Sequence, residues 1–231
     1  MIPDSPCSTI AEDISSSAPS SKKILIDAFA GAGGNSIAFA LSGRWEQIFA
    51  IEKDAKTLEC AKHNAAVYGV KNKIVWIYGD CFEVIRKRLK AVCGKAVIFG
   101  SPPWGGAFSS LPFLGQSFVM KCRVVVVGLL WTEYVKTSGL ADSDIGPQYT
   151  TDNVFGLGSM QPYGIGHLYT EFTAVSSDVV LYLPRTSDLN ELAVYAKKHQ
   201  KESGKKMEVA HYCIRGVSKA LCAYFGGFEF T

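Results

Sequence analysis

The chain has 231 residues, of which 48% are hydrophobic, and a formal net charge of +3. This apolar content is sufficient for one α/β domain with a sizeable core, and the small basic excess does not predict a long nucleic-acid groove. Seven cysteines, an odd number with no C-x-x-C pair, argue against a disulfide framework and a zinc site. The longest apolar run, residues 124–131, is too short to span a bilayer, and no signal peptide is evident. We therefore expect no metal, no membrane association, and a location in the nucleus or the cytosol.

The N-terminal residues 1–21 are rich in Ser, Pro and small residues, which favours a segment that is mostly mobile unless it folds over a ligand. Only residues 9–14 indicate a helical turn. From residue 22 to residue 231, alternating apolar runs and amphipathic stretches predict a single folded domain. Its later elements are a strand over 179–183, a helix over 189–199, and an antiparallel pair of strands over 205–214 and 219–224.

A glycine-rich turn follows the first predicted strand. The apolar residues 24–26 lead to Asp27, and the turn contains Gly31 and Gly33 before an apolar-periodic helix begins near Asn35. Glycines let a ligand approach the backbone closely, and the next helix offers unpaired N–H groups at its N-terminus. Such turns bind nucleotides or adenosine-bearing cofactors. The sequence matches neither G-x-G-x-x-G nor a phosphate-binding P-loop, so this pattern alone is weak.

Three acidic residues follow consecutive predicted strands: Asp27, Glu52 and Asp80. In a β-α-β-α-β arrangement the carboxyl ends of the strands line one crevice, so these side chains are expected to lie together. Glu52 lies roughly 20 residues beyond the glycines, where an acidic side chain accepts hydrogen bonds from ribose hydroxyls. Each acid alone is equally compatible with a helix cap or a surface turn. Together with the glycine turn they predict an adenosine-binding crevice.

The segment Ser101-Pro102-Pro103-Trp104-Gly105-Gly106 follows an apolar run, residues 96–100, and is therefore predicted to leave the end of a buried strand. Two prolines in a row hold the carbonyls of Ser101 and both prolines as rigid acceptors, which suits an amino group. The Trp104 indole beside them can stack on a base or a cationic ring. The segment predicts a site for a purine amine, unless it merely ends the strand and packs.

These motifs resemble those of class I S-adenosylmethionine-dependent methyltransferases, and within that class the trimethylguanosine synthase family. A hydride-transfer Rossmann enzyme is disfavoured by the missing third glycine and by the Ser-Pro-Pro-Trp segment. The resemblance implies an α/β, Rossmann-like fold with a mostly parallel seven-stranded sheet and helices on both faces. It covers most of residues 23–106 and 146–227 and rests on residues 27–35, 64–69, 79–80, 101–106, 183–185 and 223–226.

The resemblance also implies roles for individual residues, with S-adenosylmethionine as the cofactor. Residues implied to bind the cofactor are Asp27, Phe29, Gly31, Gly33, Asn35, Glu52, Asp80 and Ser101. Those implied to act in catalysis are Ser101, Pro102 and Trp104. Those implied to bind the substrate are Trp104, Asn64, Tyr149 and Arg185.

Two segments depart from the family pattern. Residues 107–145 have the character of an insertion, which would add an edge strand, cover the site as a lid, or lie outside the working fold. At the N-terminus, the helical extension that relatives carry is reduced to residues 5–14, and the family's Ser/Thr-Pro-Glu stretch is altered to Ser5-Pro6-Cys7-Ser8.

The expected function is methylation of the exocyclic N2 amine of 7-methylguanosine caps, on capped RNA or a cap nucleotide, by a nuclear monomer. The product would be a 2,7-dimethyl- or 2,2,7-trimethylguanosine cap. Two alternatives stay open at this point. One is another base-amine methyltransferase, acting on adenine N6 or on ribosomal RNA guanine, and the other is a catalytically idle cap-binding protein.

Overall fold

The structure, a computed structural model, describes residues 6–103, 119–126, 154–214 and 217–230. By their internal contacts these residues form two compact units. The helices and strands, in chain order, are α1 (Pro6–Ser17), β1 (Ile24–Asp27), α2 (Gly34–Leu41), β2 (Gln47–Glu52), α3 (Ala55–Val67), β3 (Ile74–Tyr78), α4 (Cys81–Lys87), α5 (Lys90–Cys93), β4 (Ala96–Gly100), β5 (Val119–Val126), α6 (Ile165–Thr173), β6 (Val179–Pro184), α7 (Leu189–Ser203), β7 (Met207–Ile214) and β8 (Val217–Phe225).

The first unit extends to Ser101 and includes Glu171–Val180 and the residues from Gly227 onward. Its strands are ordered β3-β2-β1-β4, followed by the beginning of β6. The strands β1 to β4 run parallel, with Ile24 of β1 opposite Gln47 of β2 and Ala96 of β4. All five residues of β4 are buried, as expected for a parallel strand covered on both faces. The β-α-β-α-β pattern predicted from the sequence is confirmed.

The second unit contains the remainder of β6 and the order β6-β8-β7-β5. Here β7 pairs antiparallel with both β8 and β5, so the predicted C-terminal antiparallel pair is confirmed. The predicted Rossmann-like α/β fold is confirmed as well. The described part of the chain holds eight strands rather than seven, because β5 lies inside the predicted insertion and adds an edge strand beside β7.

The N-terminal segment differs from the expected mobile stretch, because Pro6–Ser17 forms α1. Ile10, Ala11 and Ile14 are buried on one side of this helix, which packs against α2. Their spacing of one and three residues gives the helix a narrow apolar stripe despite its many serines. The Ser17 carbonyl also accepts a hydrogen bond from the Glu229 N–H at 2.8 Å, which ties the end of α1 to the C-terminal segment.

A buried ion pair joins three distant parts of the first unit. Lys22 Nζ lies 3.0 Å from Asp178 Oδ2, and both side chains are buried. Lys22 also donates to the Gly94 carbonyl at 2.8 Å, and the Gly227 N–H donates to Asp178 Oδ1 at 2.7 Å. Because both charges are paired and hydrogen-bonded, the pair is compatible with burial.

In the part of the chain that the structure describes, none of the helices has both the length and the apolar character needed to cross a bilayer. Within the same residues, His, Cys, Asp and Glu side chains form no group of three that could hold a metal ion. The described free thiols include Cys7, Cys60, Cys81 and Cys93.

Candidate cofactor-binding site

The glycine turn between β1 and α2 has a backbone that only glycine adopts readily. Gly31 has a φ of +53° and Gly33 a φ of +89°. At Gly33 an added Cβ would lie 3.1 Å from the Cβ of Ala61 and 3.3 Å from the Trp76 ring. The turn therefore needs glycine at this position for its backbone conformation and for close packing against α3 and β3. Gly33 also precedes the first residue of α2 as its N-cap.

Asp27 ends β1 and is entirely buried. Its Oδ2 accepts a 2.6 Å hydrogen bond from Ser36 Oγ, and its Oδ1 accepts a 3.4 Å bond from the Phe29 N–H. Burial raises the pKa of Asp27 from 3.8 to about 6; the two hydrogen bonds oppose this rise and the Glu52 charge adds to it. Asp27 thus places a polar group with a raised pKa at the base of the glycine turn.

Glu52 ends β2 and bridges two backbone segments at the same edge of the sheet. Its Oε2 accepts a hydrogen bond from the Gly31 N–H at 3.0 Å, and its Oε1 accepts one from the Asp54 N–H at 2.8 Å. The side chain is half-buried. Since each carboxylate oxygen has two lone pairs, both retain acceptor capacity for hydroxyl groups.

Asn64, on α3, also contacts the turn. Its Nδ2 donates to the Ala32 carbonyl at 3.0 Å. Glu52 binds the N–H of Gly31, and Asn64 binds the carbonyl of the next residue, Ala32. The turn is therefore held through both an N–H and a carbonyl. The resemblance implied a substrate-binding role for Asn64, and nothing in the sequence pattern pointed to its contact with the turn.

Asp80 follows β3 and caps α4. Its Oδ1 accepts hydrogen bonds from the Phe82 and Glu83 N–H groups at 3.0 and 3.1 Å. The preceding Gly79 has a φ of +152°, and an added Cβ there would lie 2.9 Å from a Val84 methyl group. Because β1, β2 and β3 are parallel and in register, the structure brings Asp27, Glu52 and Asp80 to one edge of the sheet.

Three phenylalanines form an aromatic cluster in the first unit, beside this edge. Phe82 stacks on Phe172 with ring centroids 5.4 Å apart, and Phe29 meets both rings edge-on at 6.4 and 6.3 Å. Phe29 is half-buried, whereas the other two rings are buried. Of the three, only Phe29 was predicted as a site residue, because Phe172 is distant in sequence and carries no motif.

Cys7, at the start of α1, reaches the same region. Its Sγ lies 3.7 Å from the position that a Cβ on Gly34 would occupy. Burial raises the pKa of Cys7 to about 11, and the charge of Asp27 contributes to the rise. The residue that replaces part of the family's Ser/Thr-Pro-Glu stretch is therefore a neutral thiol near Asp27.

The remaining predicted site residues are divided between the two units and the undescribed part of the chain. Asn35 is half-buried in the first turn of α2. Ser101 and Pro102 directly follow β4, Ser101 being half-buried and Pro102 buried. Trp104, Tyr149 and Ser5 lie outside the described residues.

Arg185 lies in the second unit, in a turn between β6 and α7. The Ser187 Oγ donates to the Pro184 carbonyl at 2.6 Å, which closes this turn. The Phe155 N–H donates to the Thr186 carbonyl at 2.7 Å and fastens the turn to a neighbouring segment. The Arg185 side chain is half-buried on this hydrogen-bonded backbone.

The sequence model of one family, described as RNA cap guanine-N2 methyltransferase, matches residues 22–109 and 144–228. The match is interrupted across most of the predicted insertion. A trimethylguanosine synthase of Schizosaccharomyces pombe is 28% identical over 204 residues, which are 88% of this chain and 65% of that protein. A trimethylguanosine synthase of Saccharomyces cerevisiae is 26% identical over 82% of this chain and 47% of its own length.

The chain thus spans less than two thirds of the length of these two relatives. Among solved structures, the MTase domain of METTL16 superposes with a TM-score of 0.52 at 12% identity, covering 96% of this chain and 66% of that one. At this identity the likeness concerns the fold alone, and it agrees with the Rossmann-like architecture described above.

Proposed function

Because the chain belongs to the RNA cap guanine-N2 methyltransferase family, we propose that it methylates the exocyclic N2 amine of 7-methylguanosine at RNA 5′ caps with S-adenosylmethionine as donor. The observation that carries the proposal is the convergence of Asp27, Glu52 and Asp80 with the glycine turn at one sheet edge. A capped RNA or a cap nucleotide is the proposed substrate, and a monomer in the nucleus is the proposed working form.

The chemistry of this edge fits an adenosine-bearing sulfonium. Glu52 offers carboxylate acceptors for ribose hydroxyls, and Asp80 offers an acceptor for the adenine amine. The buried carboxyl of Asp27 fixes the backbone that leads into the turn through the Phe29 N–H, and the turn at Gly31 and Gly33 provides close-approach contacts for the amino-acid end. S-adenosylmethionine supplies an electrophilic methyl group when bound. The residues proposed to hold it are Asp27, Phe29, Gly31, Gly33, Asn35, Glu52, Asp80 and Ser101.

The acceptor site is proposed on the segment after β4. The Ser101 side chain and the carbonyls of Ser101 and Pro102 would accept hydrogen bonds from the N2 amine and direct its lone pair toward the methyl carbon. Trp104 would stack on 7-methylguanine, whose positive charge adds a cation–π contribution of about 0.5–2 kcal/mol that plain guanine lacks. Tyr149 is proposed as a further substrate contact, and Asn64 is proposed to act through the turn that it holds. The planar guanidinium of Arg185 suits cap phosphate oxygens.

Catalysis in this proposal comes chiefly from positioning. Holding an amine and an electrophile in reactive geometry can lower a barrier by about 7–11 kcal/mol. The amine proton leaves to water after the new N–C bond has formed, so the reaction does not require a strong base.

Transfer of labelled methyl from S-adenosylmethionine to 7-methyl-GTP, with GTP and adenosine-containing RNA as parallel acceptors, tests the proposal. We expect transfer to 7-methyl-GTP and none to GTP. Transfer to adenine or to unmethylated guanine would instead identify another base-amine methyltransferase. Tight binding of 7-methyl-GTP without any transfer would identify an idle cap-binding protein.

A further inference from the structure

One exposed face of α7 carries two lysines, and two more follow the end of the helix. Asn190, Val194, Lys197 and Lys201 are all exposed, and their spacing of three or four residues places them on the same side of the helix. Beyond the end of α7, Lys205 and the adjacent Lys206 are exposed as well. We call Lys197, Lys201, Lys205 and Lys206 the basic stripe.

The basic stripe lies in a basic segment of the second unit. Residues 189–206 contain five lysines and two glutamates, a net charge of +3, which equals the formal net charge of the whole chain. Both glutamates are engaged elsewhere in the second unit. Glu191 accepts a hydrogen bond from the Gly158 N–H at 3.0 Å, and Glu202 accepts one from Tyr169 Oη at 3.1 Å.

Within the described ranges, none of the four lysines of the basic stripe takes part in an ion pair. The fifth lysine of the segment differs: Lys198 lies 5.1 Å above the Tyr169 ring and 4.0 Å from Glu202 Oε1. The four side chains of the basic stripe therefore present uncompensated positive charge to solvent.

Interaction with the helix dipole does not account for the whole basic stripe. The dipole favours cations near the C-terminal end of a helix and falls off within about one turn of it. Lys201 lies in the last turn of α7, but Lys197 is six residues before its end at Ser203, and Lys205 and Lys206 follow its C-cap Gly204. Lys197 thus stands where the dipole offers little.

The position of α7 relates the basic stripe to Arg185. The helix begins at Leu189, four residues after Arg185. At 1.5 Å per residue, Lys197 and Lys201 lie about 12 and 18 Å along the axis from the first residue of α7. A polyanion whose first phosphates contact Arg185 would meet the basic stripe several nucleotides further along.

We propose that the basic stripe binds the phosphate backbone of the RNA downstream of the cap, an inference that rests on the cap-methylating function proposed above. Lysines on flexible stems act as point charges and suit contacts that do not depend on sequence. RNA is favoured over an acidic protein because the proposed substrate is itself a polyanion and Arg185 lies four residues before this helix.

The test is a variant with K197Q, K201Q, K205Q and K206Q. Binding of a 5′-capped 20-nucleotide RNA is measured by fluorescence anisotropy between 50 and 200 mM salt, and methyl transfer is measured to the same RNA and to 7-methyl-GTP. We expect the variant to bind the RNA at least tenfold more weakly at the lowest salt. Its slope of log affinity against log salt should decrease by about 2 to 3, as for four lost phosphate contacts with a single strand. The KM for 7-methyl-GTP should stay within about twofold of that of the unmodified chain.

A matched control variant, K71Q, K73Q, R88Q and K90Q, removes the same charge from exposed positions of the first unit. It should bind the RNA as the unmodified chain does; equal weakening by both variants would show a net-charge effect and overturn the inference. Unchanged RNA binding by the α7 variant, or tighter binding of polyglutamate than of RNA to the basic stripe, would also overturn it. Failure of the unmodified chain to methylate 7-methyl-GTP would contradict the proposed function instead, and the binding comparison would still decide the role of the basic stripe.

Discussion

Ser36 Oγ donates a hydrogen bond to Asp27 Oδ2 across 2.6 Å, and both residues are entirely buried. The bond connects the end of β1 with the first turn of α2 and so spans the glycine turn. It also opposes the rise in the pKa of Asp27 that burial causes. Ser36 thus orients a proposed cofactor-binding carboxyl without belonging to any recognised motif.

Replacing Ser36 by Ala should destabilise the chain by about 1–3 kcal/mol, because a buried acceptor loses its partner. The native pKa of Asp27, about 6, lies above its ordinary value of 3.8, so the native state binds more protons between these values and stability falls as the pH rises through them. Without the Ser36 bond this pKa rises further. Urea denaturation should therefore reveal a larger loss at pH 8 than at pH 5. Ser16→Ala, at an exposed position, is the control; a pH-independent loss for Ser36→Ala would contradict this account.

Asn64→Ala should weaken cofactor binding by about five- to twentyfold, because the variant loses the hydrogen bond to Ala32 that holds the turn. Titration calorimetry with S-adenosylhomocysteine measures this effect, and steady-state kinetics gives the KM for 7-methyl-GTP. If Asn64 acts through the turn, cofactor affinity falls while this KM is little changed. The reverse pattern would assign Asn64 to the substrate, as the resemblance implied. Asn72→Ala, exposed before β3, is the control.

The three acidic residues at the strand ends show how much of the site can be predicted from the sequence. Asp27, Glu52 and Asp80 could be placed at one edge from strand order alone, since parallel strands end together. Three other contacts could not be predicted, because each depends on how distant elements pack. They are the contacts of Asn64 with Ala32, of Phe29 with Phe172, and of Cys7 with the region of Asp27. The serine-rich composition also led to the prediction of a mobile segment where the structure has α1. There, three apolar residues at helical spacing are buried and stabilise the helix despite the serines around them.

Gly33→Ala should be more destabilising than Gly43→Ala. Both glycines have positive φ, +89° and +68°, so both substitutions incur the cost of a left-handed conformation, about 1 kcal/mol. Only at Gly33 would the new Cβ also meet Ala61 and Trp76 at 3.1 and 3.3 Å, whereas nothing lies within 4 Å at Gly43. Thermal denaturation of the two variants, together with their cofactor affinity, checks this difference. Equal stability of the two variants and unchanged cofactor binding would contradict the prediction. They would show that the turn can shift to accommodate the added methyl group at residue 33.

Trp104→Ala should abolish methyl transfer to 7-methyl-GTP and leave cofactor binding within about twofold of the unmodified chain, because the proposed stacking contact involves only the acceptor. Trp104→Phe should retain part of the activity, since a smaller ring keeps a weaker cation–π contact. Transfer of labelled methyl and calorimetry with S-adenosylhomocysteine are the two measurements. Tyr68→Ala, at an exposed aromatic residue that follows α3, is the control. Full activity of Trp104→Ala would refute the stacking role.

Asp178→Asn should be among the most destabilising single substitutions in the first unit. It leaves the buried Lys22 ammonium without its carboxylate, and breaking a buried pair in this way costs about 3–5 kcal/mol. Burial alone would raise the pKa of Asp178, but hydrogen bonds from Ser177, Gly227 and Lys22 outweigh it and lower this pKa below 3.8.

The stabilisation by Asp178 is therefore present above pH 3.8 and is lost as the pH falls through the lowered native pKa. Urea denaturation at pH 7 and at pH 3 should show that the difference between the unmodified chain and Asp178→Asn shrinks on acidification. Glu59→Gln removes a surface partner of Lys62 and should have little effect at either pH, since exposed ion pairs contribute little. If Asp178→Asn lowers the free energy of unfolding at pH 7 by no more than Glu59→Gln does, then the Lys22 ammonium becomes solvated when its partner is removed. The contacts of Asp178 with Lys22 and Gly227 would then contribute little to holding the N-terminal and C-terminal segments together.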